Sequence, residues 1–245
     1  MKNETVKEKI CLCIDTSTKV ASVALGKSAD GESVEMLYNV FLNDGLTHSE
    51  KLIPLINQCF SACNIAAKDV DIFACVNGPG SFTGLRIGIS TANALAQSTG
   101  KDIIGVTSLE TLAYAFNRFE GIIIPMIDAR NDNVFTAIFE GGREFSQIEN
   151  DHIKSIDEVL EQIKNIDRNA IFTGDGTQKA KDRAQMMLAE RAYFAEGILG
   201  CVNAAYGTEI AFKKYFSTEY KKERVLLPNY VKGTSAKTQA ERNAQ

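Results

Sequence analysis

Ile10-Cys11-Leu12-Cys13-Ile14 runs into Asp15-Thr16-Ser17-Thr18 and out again as Val20-Ala21-Ser22-Val23-Ala24-Leu25. An apolar run closed by an acid, a polar turn and a second apolar run read as strand, turn, strand. The same figure returns near the middle of the chain. Ile122-Ile123-Ile124-Pro125-Met126-Ile127 ends at Asp128, and a polar turn from Ala129 leads into Val134-Phe135-Thr136-Ala137-Ile138-Phe139. Self-similarity on this scale constrains the architecture before any single element does.

Outward from the first figure, the pattern predicts a third strand over 34–42, a helix over 47–64 and a buried strand over 71–77. A helix over 83–98, a strand over 103–106 and a helix capped by Thr107 and Glu110 complete the half. Thr47 and Glu50 fit a capping box, and Pro54 predicts a kink or a late start. Outward from the second figure come a weaker strand near 145–148, a helix over 156–166 and a strand over 170–173. A helix over 178–190, a short strand near Tyr193 and a helix over 203–216 follow. The order β-β-β-α-β-α-β-α thus occurs twice, with Asp15 and Asp128 in equivalent turns. That is the plan of a duplicated α/β, actin-like ATPase fold. The expected division is a first lobe over 1–106, a second over 107–228 and a polar tail over 229–245, disordered beyond Gly233.

The 245 residues carry a formal charge of −4, with 44% hydrophobic and 24% charged residues. Such a composition is globular, and its acidic balance argues against a protein built to coat nucleic acid. The charge is uneven: residues 213–245 are net +5 and the remainder −9, so the end of the chain could meet an acidic partner. No run approaches the ~18 apolar residues of a membrane span, so a soluble, cytoplasmic protein is expected. Six cysteines without a CxxC pair, and only two histidines, point to buried thiols rather than zinc ligands.

Gly78-Pro79-Gly80-Ser81-Phe82-Thr83-Gly84-Leu85-Arg86-Ile87-Gly88 follows a strand and opens a helix. Such a loop can offer backbone N–H groups to an anion, but neither GKS/GKT nor GxGxxG spacing is present. In the helix, Gly84, Gly88, Ala92 and Ala96 recur every four residues. Glycine in a helix costs roughly 0.5–1 kcal/mol against alanine, so close approach of another surface must offset it. That surface is either the chain's own lobe or another chain. Leu52, Leu55, Ile56 and Cys59 form a second apolar stripe in the helix before it. We take Leu52, Leu55, Ile56, Cys59, Gly84, Leu85, Gly88, Ala92 and Ala96 as the expected partner interface.

Asp15, Thr16 and Ser17 suit a metal and phosphate in an actin-like ATPase, and equally an ordinary turn that satisfies local backbone. His48 lacks a second histidine at position 52, which is Leu52, so a helix-start role fits it better than ligation. His152 lies in a polar stretch, and no Ser/His/Asp set stands out. No catalytic residue and no metal ligand is expected.

Ile14-Asp15-Thr16-Ser17-Thr18, His48-Ser49-Glu50-Lys51-Leu52-Ile53-Pro54-Leu55-Ile56, the loop from Gly78 to Gly88 and Ile127-Asp128-Ala129-Arg130 resemble the TsaB family, also called YeaZ. The likeness is firm over 10–140 and looser beyond, where Pro228-Asn229-Tyr230-Val231-Lys232 resembles a Pro-x-Tyr-Leu-Arg motif. It implies a non-catalytic part in making N6-threonylcarbamoyladenosine at position 37 of tRNAs reading ANN codons. The implied partners are the paralogue TsaD, which carries the metal and transfers the threonylcarbamoyl group, and the small ATPase TsaE. The chain would homodimerise when alone and meet tRNA only through the complex. ATP and metal would belong to the partners, with no cofactor of its own. Two departures from the catalytic paralogue fit that reading. Of its HxxxH pair only His48 remains, and its Ser-Gly-Gly-His turn is replaced by Asp128-Ala129-Arg130-Asn131-Asp132. Gly174-Asp175-Gly176 resembles a remnant of a nucleotide loop, giving a vestigial site of Asp15, Thr16, Ser17, Asp128, Gly174 and Gly176. The rival is an active ATPase or small-molecule kinase with Asp15 and Asp128 around Mg-nucleotide. A metallopeptidase ranks last, for want of the second histidine.

Overall fold

The computed structural model describes residues 7–43 and 48–231. The first half runs β1 (Lys9–Asp15), β2 (Ala21–Ser28), β3 (Glu35–Leu42), α1 (His48–Cys63), β4 (Ile72–Val76), α2 (Phe82–Thr99), β5 (Asp102–Val106) and α3 (Ser108–Tyr114). The second runs β6 (Ile122–Asp128), β7 (Asn133–Glu140), β8 (Ser146–Ser155), α4 (Ile156–Lys164), β9 (Ala170–Thr173), α5 (Thr177–Leu188), β10 (Ala192–Phe194) and α6 (Ala204–Phe216). The sheets are ordered β3-β2-β1-β4-β5 and β8-β7-β6-β9-β10, so the duplication holds strand for strand. In each, the first three strands are antiparallel neighbours and the last two join in parallel.

Helix ends follow from local chemistry. Ser81 caps α2 by accepting the Gly84 N–H, and Gly100 closes it in the left-handed region at φ 67°. Ser155 and Glu158 form a capping box on α4. Thr107 accepts the Glu110 N–H as expected, while the Glu110 carboxylate bonds Lys214 at 2.6 Å. The capping residue expected for α1, Thr47, lies outside the described residues. The helix is already formed at His48, ahead of Pro54. The weak third strand of the second half is a full ten residues, β8. The tail beyond Gly233 also lies outside the described residues.

The chain divides into two compact units, and not at the expected boundary. The first comprises the described residues up to Ala115 together with Cys201–Asn229; the second is built from Phe116–Gly200. The boundary moves because α6, which follows the second sheet in sequence, packs on the first. It lies across β1, β2, β4 and β5, and Gly207 sits so close that a Cβ there would stand 2.7 Å from Cys13 Sγ. The first sheet is therefore covered on one face by α1 and α2 and on the other by α6. Strand alternation divides β1 between them: Leu12 and Ile14 enter the core beneath α1 and α2 with Val23, Phe73 and Leu85. In the second unit, α4 and α5 close over Ile124, Met126, Val134 and Phe172. All six cysteines are free, and Cys11, Cys13, Cys59 and Cys75 are buried. Burial raises the Cys59 thiol to about 12, so it behaves as a small apolar group.

Candidate functional site: two occupied turns and an exposed helix face

The β1–β2 turn is sealed inside the first unit. Asp15, Thr16 and Ser17 are essentially unexposed. Asp15 Oδ1 accepts the Ser17 N–H at 2.8 Å, and the Thr16 hydroxyl donates to the Gly84 carbonyl at 2.7 Å. Asp15 Oδ2 and Ser17 Oγ are buried without a partner at hydrogen-bonding geometry. Burial raises the Asp15 carboxyl to about 6, against the opposing pull of the Ser17 hydroxyl and amide and of His48. His48 Nε2 lies 2.8 Å from the Thr18 carbonyl, which engages that ring nitrogen in holding the turn.

The glycine-rich loop is fitted to this turn. The Ser81 N–H donates to the Ser17 carbonyl at 2.7 Å, and the Gly84 N–H is taken by its own cap. A Cβ at Gly80 would collide with the Ser17 carbonyl oxygen. One at Gly84 would strike the Thr16 carbonyl oxygen, and one at Gly88 the Thr16 hydroxyl. The bareness of the loop and of α2 thus admits the chain's own turn.

This corrects the expected interface. Leu52, Leu55, Ile56 and Cys59 are between 0% and 8% exposed, Leu85, Ala92 and Ala96 at most 3%, and Gly84 and Gly88 are buried. All nine residues face the sheet beneath them, so none presents a surface to another chain. The apolar stripe of a helix on a sheet points inward, and small residues let the helix sit close. The outward faces of α1 and α2 carry other residues. Ile53 is 49% and Phe82 55% exposed, with Pro54, Asn57 and Ala94 also exposed. The Arg86 guanidinium stacks 3.9 Å from the Phe82 ring centroid. The two helices touch each other, and these exposed residues are uncharged apart from Arg86.

In the second unit the equivalent turn is held by cations of its own. Asp128 Oδ1 accepts the Lys179 ammonium at 2.8 Å and the Arg130 N–H at 2.9 Å, while the Asp128 N–H donates to Asp175 at 3.0 Å. Arg130, Asn131 and Asp132 all have positive φ, 68°, 48° and 60°, a conformation that costs non-glycine residues about 1 kcal/mol or more each. Arg183 braces it: its two terminal nitrogens grip the Asp132 carboxylate at 2.8 and 2.9 Å, and one also meets Asp157 at 2.8 Å. The guanidinium holds the Asp132 carboxyl below the usual carboxylate range. Gly174 stands at φ 101°. Gly176 donates its N–H to the Met126 carbonyl at 2.9 Å, and a Cβ there would lie 2.9 Å from Val134. The Gly174-Asp175-Gly176 segment therefore ties α5 to β6 and β7. Lys179 and Arg183 were not singled out in the sequence, although their spacing places both one turn apart on a helix, beside an Asp-rich turn.

The duplicated sheets, the acid-bearing turns and the glycine loop define a duplicated α/β fold of actin-like plan in which both acidic turns are engaged internally. Residues 45–239 match the family model described as TsaD, tRNA N6-adenosine threonylcarbamoyltransferase. The chain is 32% identical over 183 residues to the tRNA threonylcarbamoyladenosine biosynthesis protein TsaB of Bacillus subtilis, spanning 74% of this chain and 78% of that protein. It is 29% identical over 182 residues to TsaB of Buchnera aphidicola, covering 70% and 81%. The solved structure of YeaZ from Pseudomonas aeruginosa superposes with a TM-score of 0.74 at 22% identity, over 91% of this chain and all of that one. This chain belongs to the TsaB family. Among the described residues, no helix is long and apolar enough to cross a membrane.

Proposed function

We propose that this protein is the non-catalytic TsaB-type subunit in the formation of N6-threonylcarbamoyladenosine at position 37 of tRNAs reading ANN codons. It pairs with a TsaD-type subunit through the outward face of α1 and α2. The observation that carries this reading is the contrast between acids held inside each unit and half-exposed apolar side chains on α1 and α2. Asp128 is held by Lys179 and Asp15 is sealed beneath the glycine loop, whereas Ile53 on α1 and Phe82 on α2 are each about half exposed, Phe82 beneath the Arg86 guanidinium. Such a surface suits a helical partner, and a second copy of the chain occupies it in the partner's absence. TsaE joins the pair, tRNA is met through the complex, and nucleotide and metal are held by the partners. A cytoplasmic location fits the tRNA modification named for its relatives.

Co-purification with the TsaD-type subunit of the same organism tests the surface. Ile53→Asp and Phe82→Asp are each expected to weaken pairing by about ten- to a hundredfold, the scale for charging an apolar anchor at an interface. Their melting behaviour should stay close to that of the parent, because both side chains already face solvent. Unchanged affinity in both variants overturns the assignment. Calorimetric titration with Mg-ATP addresses the non-catalytic reading: micromolar binding with turnover, both lost in Asp15→Asn, would replace it with the ATPase.

A further inference from the structure

We propose that the extended segment over 223–229 is a register lock for α2, and that its integrity sets how the partner-facing helix is presented. The second clause rests on the surface assigned above; the first does not.

A helix is ordinarily fixed along its axis by side chains that interlock with the layer below. On the inner face of α2 only Leu85 and Ile89 among the buried residues are large, alternating with Gly84, Gly88, Ala92 and Ala96, which bring the helix close to the sheet. Discrete polar contacts add to these in fixing its axial position. One is at the first turn, where Thr16 bonds the Gly84 carbonyl at 2.7 Å. The other is in the third turn and involves the extended segment. The Asn93 side chain reads the Leu226 backbone in both directions, its Nδ2 donating to the carbonyl at 3.0 Å and its Oδ1 accepting the N–H at 2.9 Å.

That segment is itself firmly seated. Leu226 is 4% exposed and belongs to the core beneath α2. A Cβ at Gly105 would stand 2.6 Å from its side chain, so β5 is recessed to receive it. Glu223 bridges to Ile103 on the edge of the sheet. Asn77 donates to the Leu227 carbonyl at 3.2 Å and accepts the Asn229 N–H at 2.7 Å, immediately before the loop that opens α2. The segment therefore runs alongside α2 from its third turn toward its start. Val225 and Leu227, 50% and 70% exposed, flank buried Leu226, so the segment is anchored by one apolar side chain.

Hydrogen exchange of the full chain and its affinity for the TsaD-type subunit test the two clauses separately. In Asn93→Ala and Leu226→Ala, amides of α2 are expected to exchange faster while those of α1 and β1 keep their protection. Partner affinity is expected to fall about tenfold at temperatures where both variants are fully folded, as for loss of a pair of hydrogen bonds. Leu226→Met, which keeps an apolar anchor of similar volume, should restore both readouts. Should Leu226→Ala fail to fold, Asn93→Ala decides, since Asn93 is only half-buried. Unchanged α2 exchange in a folded Asn93→Ala overturns the lock. Faster α2 exchange with unaltered affinity, in a background where Ile53→Asp does weaken pairing, overturns the link to the partner. If Ile53→Asp and Phe82→Asp leave pairing intact, the surface assignment falls, and the exchange data alone then judge the lock.

Discussion

Gly88→Arg unfolds the first unit. The α-carbon of Gly88 faces the sheet, and any Cβ there meets the Thr16 hydroxyl, with Cys75 Sγ at 3.4 Å and Ile14 at 3.7 Å behind it. Overpacking a close-packed core costs about 1–3 kcal/mol, and burying a guanidinium without a partner adds about 3–5 kcal/mol. Together these approach the whole stability of a domain, about 5–15 kcal/mol. Gly84→Ala is the graded version. Alanine gains about 0.5–1 kcal/mol of helix propensity, but its methyl strikes the Thr16 carbonyl oxygen, a backbone atom that cannot rotate away. The steric term should win, leaving a net loss of about 1–2 kcal/mol. Ala94→Arg, on the exposed side of the same helix, provides the control and should be near neutral. Urea unfolding of the three variants checks this. A folded, stable Gly88→Arg that merely loses its partner would return the small-residue strip to the interface.

The strip illustrates how far the sequence can be read. Its residues announce that something comes close to α2, because the helix cost of Gly84 and Gly88 needs an offset. They do not say what, since a sheet and a foreign helix make the same demand. The answer lies in the turn at Asp15–Thr18, some 70 positions earlier, whose carbonyls fill the space the missing side chains leave. Element order was legible from hydrophobic period, and both sheets follow from it. The unit boundary was not. The apolar face of α6 reads the same whichever sheet it covers, and Gly207 identifies the first sheet only once Cys13 is seen beneath it. Asn93 and Asn77 escaped for a related reason. A side chain that hydrogen-bonds backbone some 130 or more positions away leaves no local pattern. Lys179 and Arg183 left a faint one, two cations one helical turn apart, whose meaning depends on which acids they meet.

Asp15→Asn stabilises the protein at neutral pH. The carboxyl titrates near 6 in the folded chain, against an ordinary 3.8, because burial disfavours its charged form. The folded state therefore holds its proton over a window in which the unfolded chain has released it, and stability falls as pH rises through that window. Below about pH 4 both states are protonated and no penalty exists. Above about pH 6 the full penalty applies, about 3 kcal/mol for a shift of this size. Asparagine keeps the oxygen that accepts the Ser17 N–H and removes the charge, at the expense of an amide N–H₂ that needs a partner, about 1 kcal/mol. The variant should gain about 2 kcal/mol at pH 8 and lose about 1 kcal/mol below about pH 4, where the charge penalty is gone and only the unpartnered amide remains. Denaturant midpoints of parent and variant across this range measure it. A difference that does not change with pH would show that Asp15 is not the buried charge described here. The same pair of proteins separates the two functional readings. If Asp15 served Mg-nucleotide, saturating Mg-ATP would stabilise the parent selectively and offset the variant's advantage, since a ligand stabilises the state that binds it. An acid sealed under its own glycine loop, with its turn already bonded to that loop, should leave the advantage untouched.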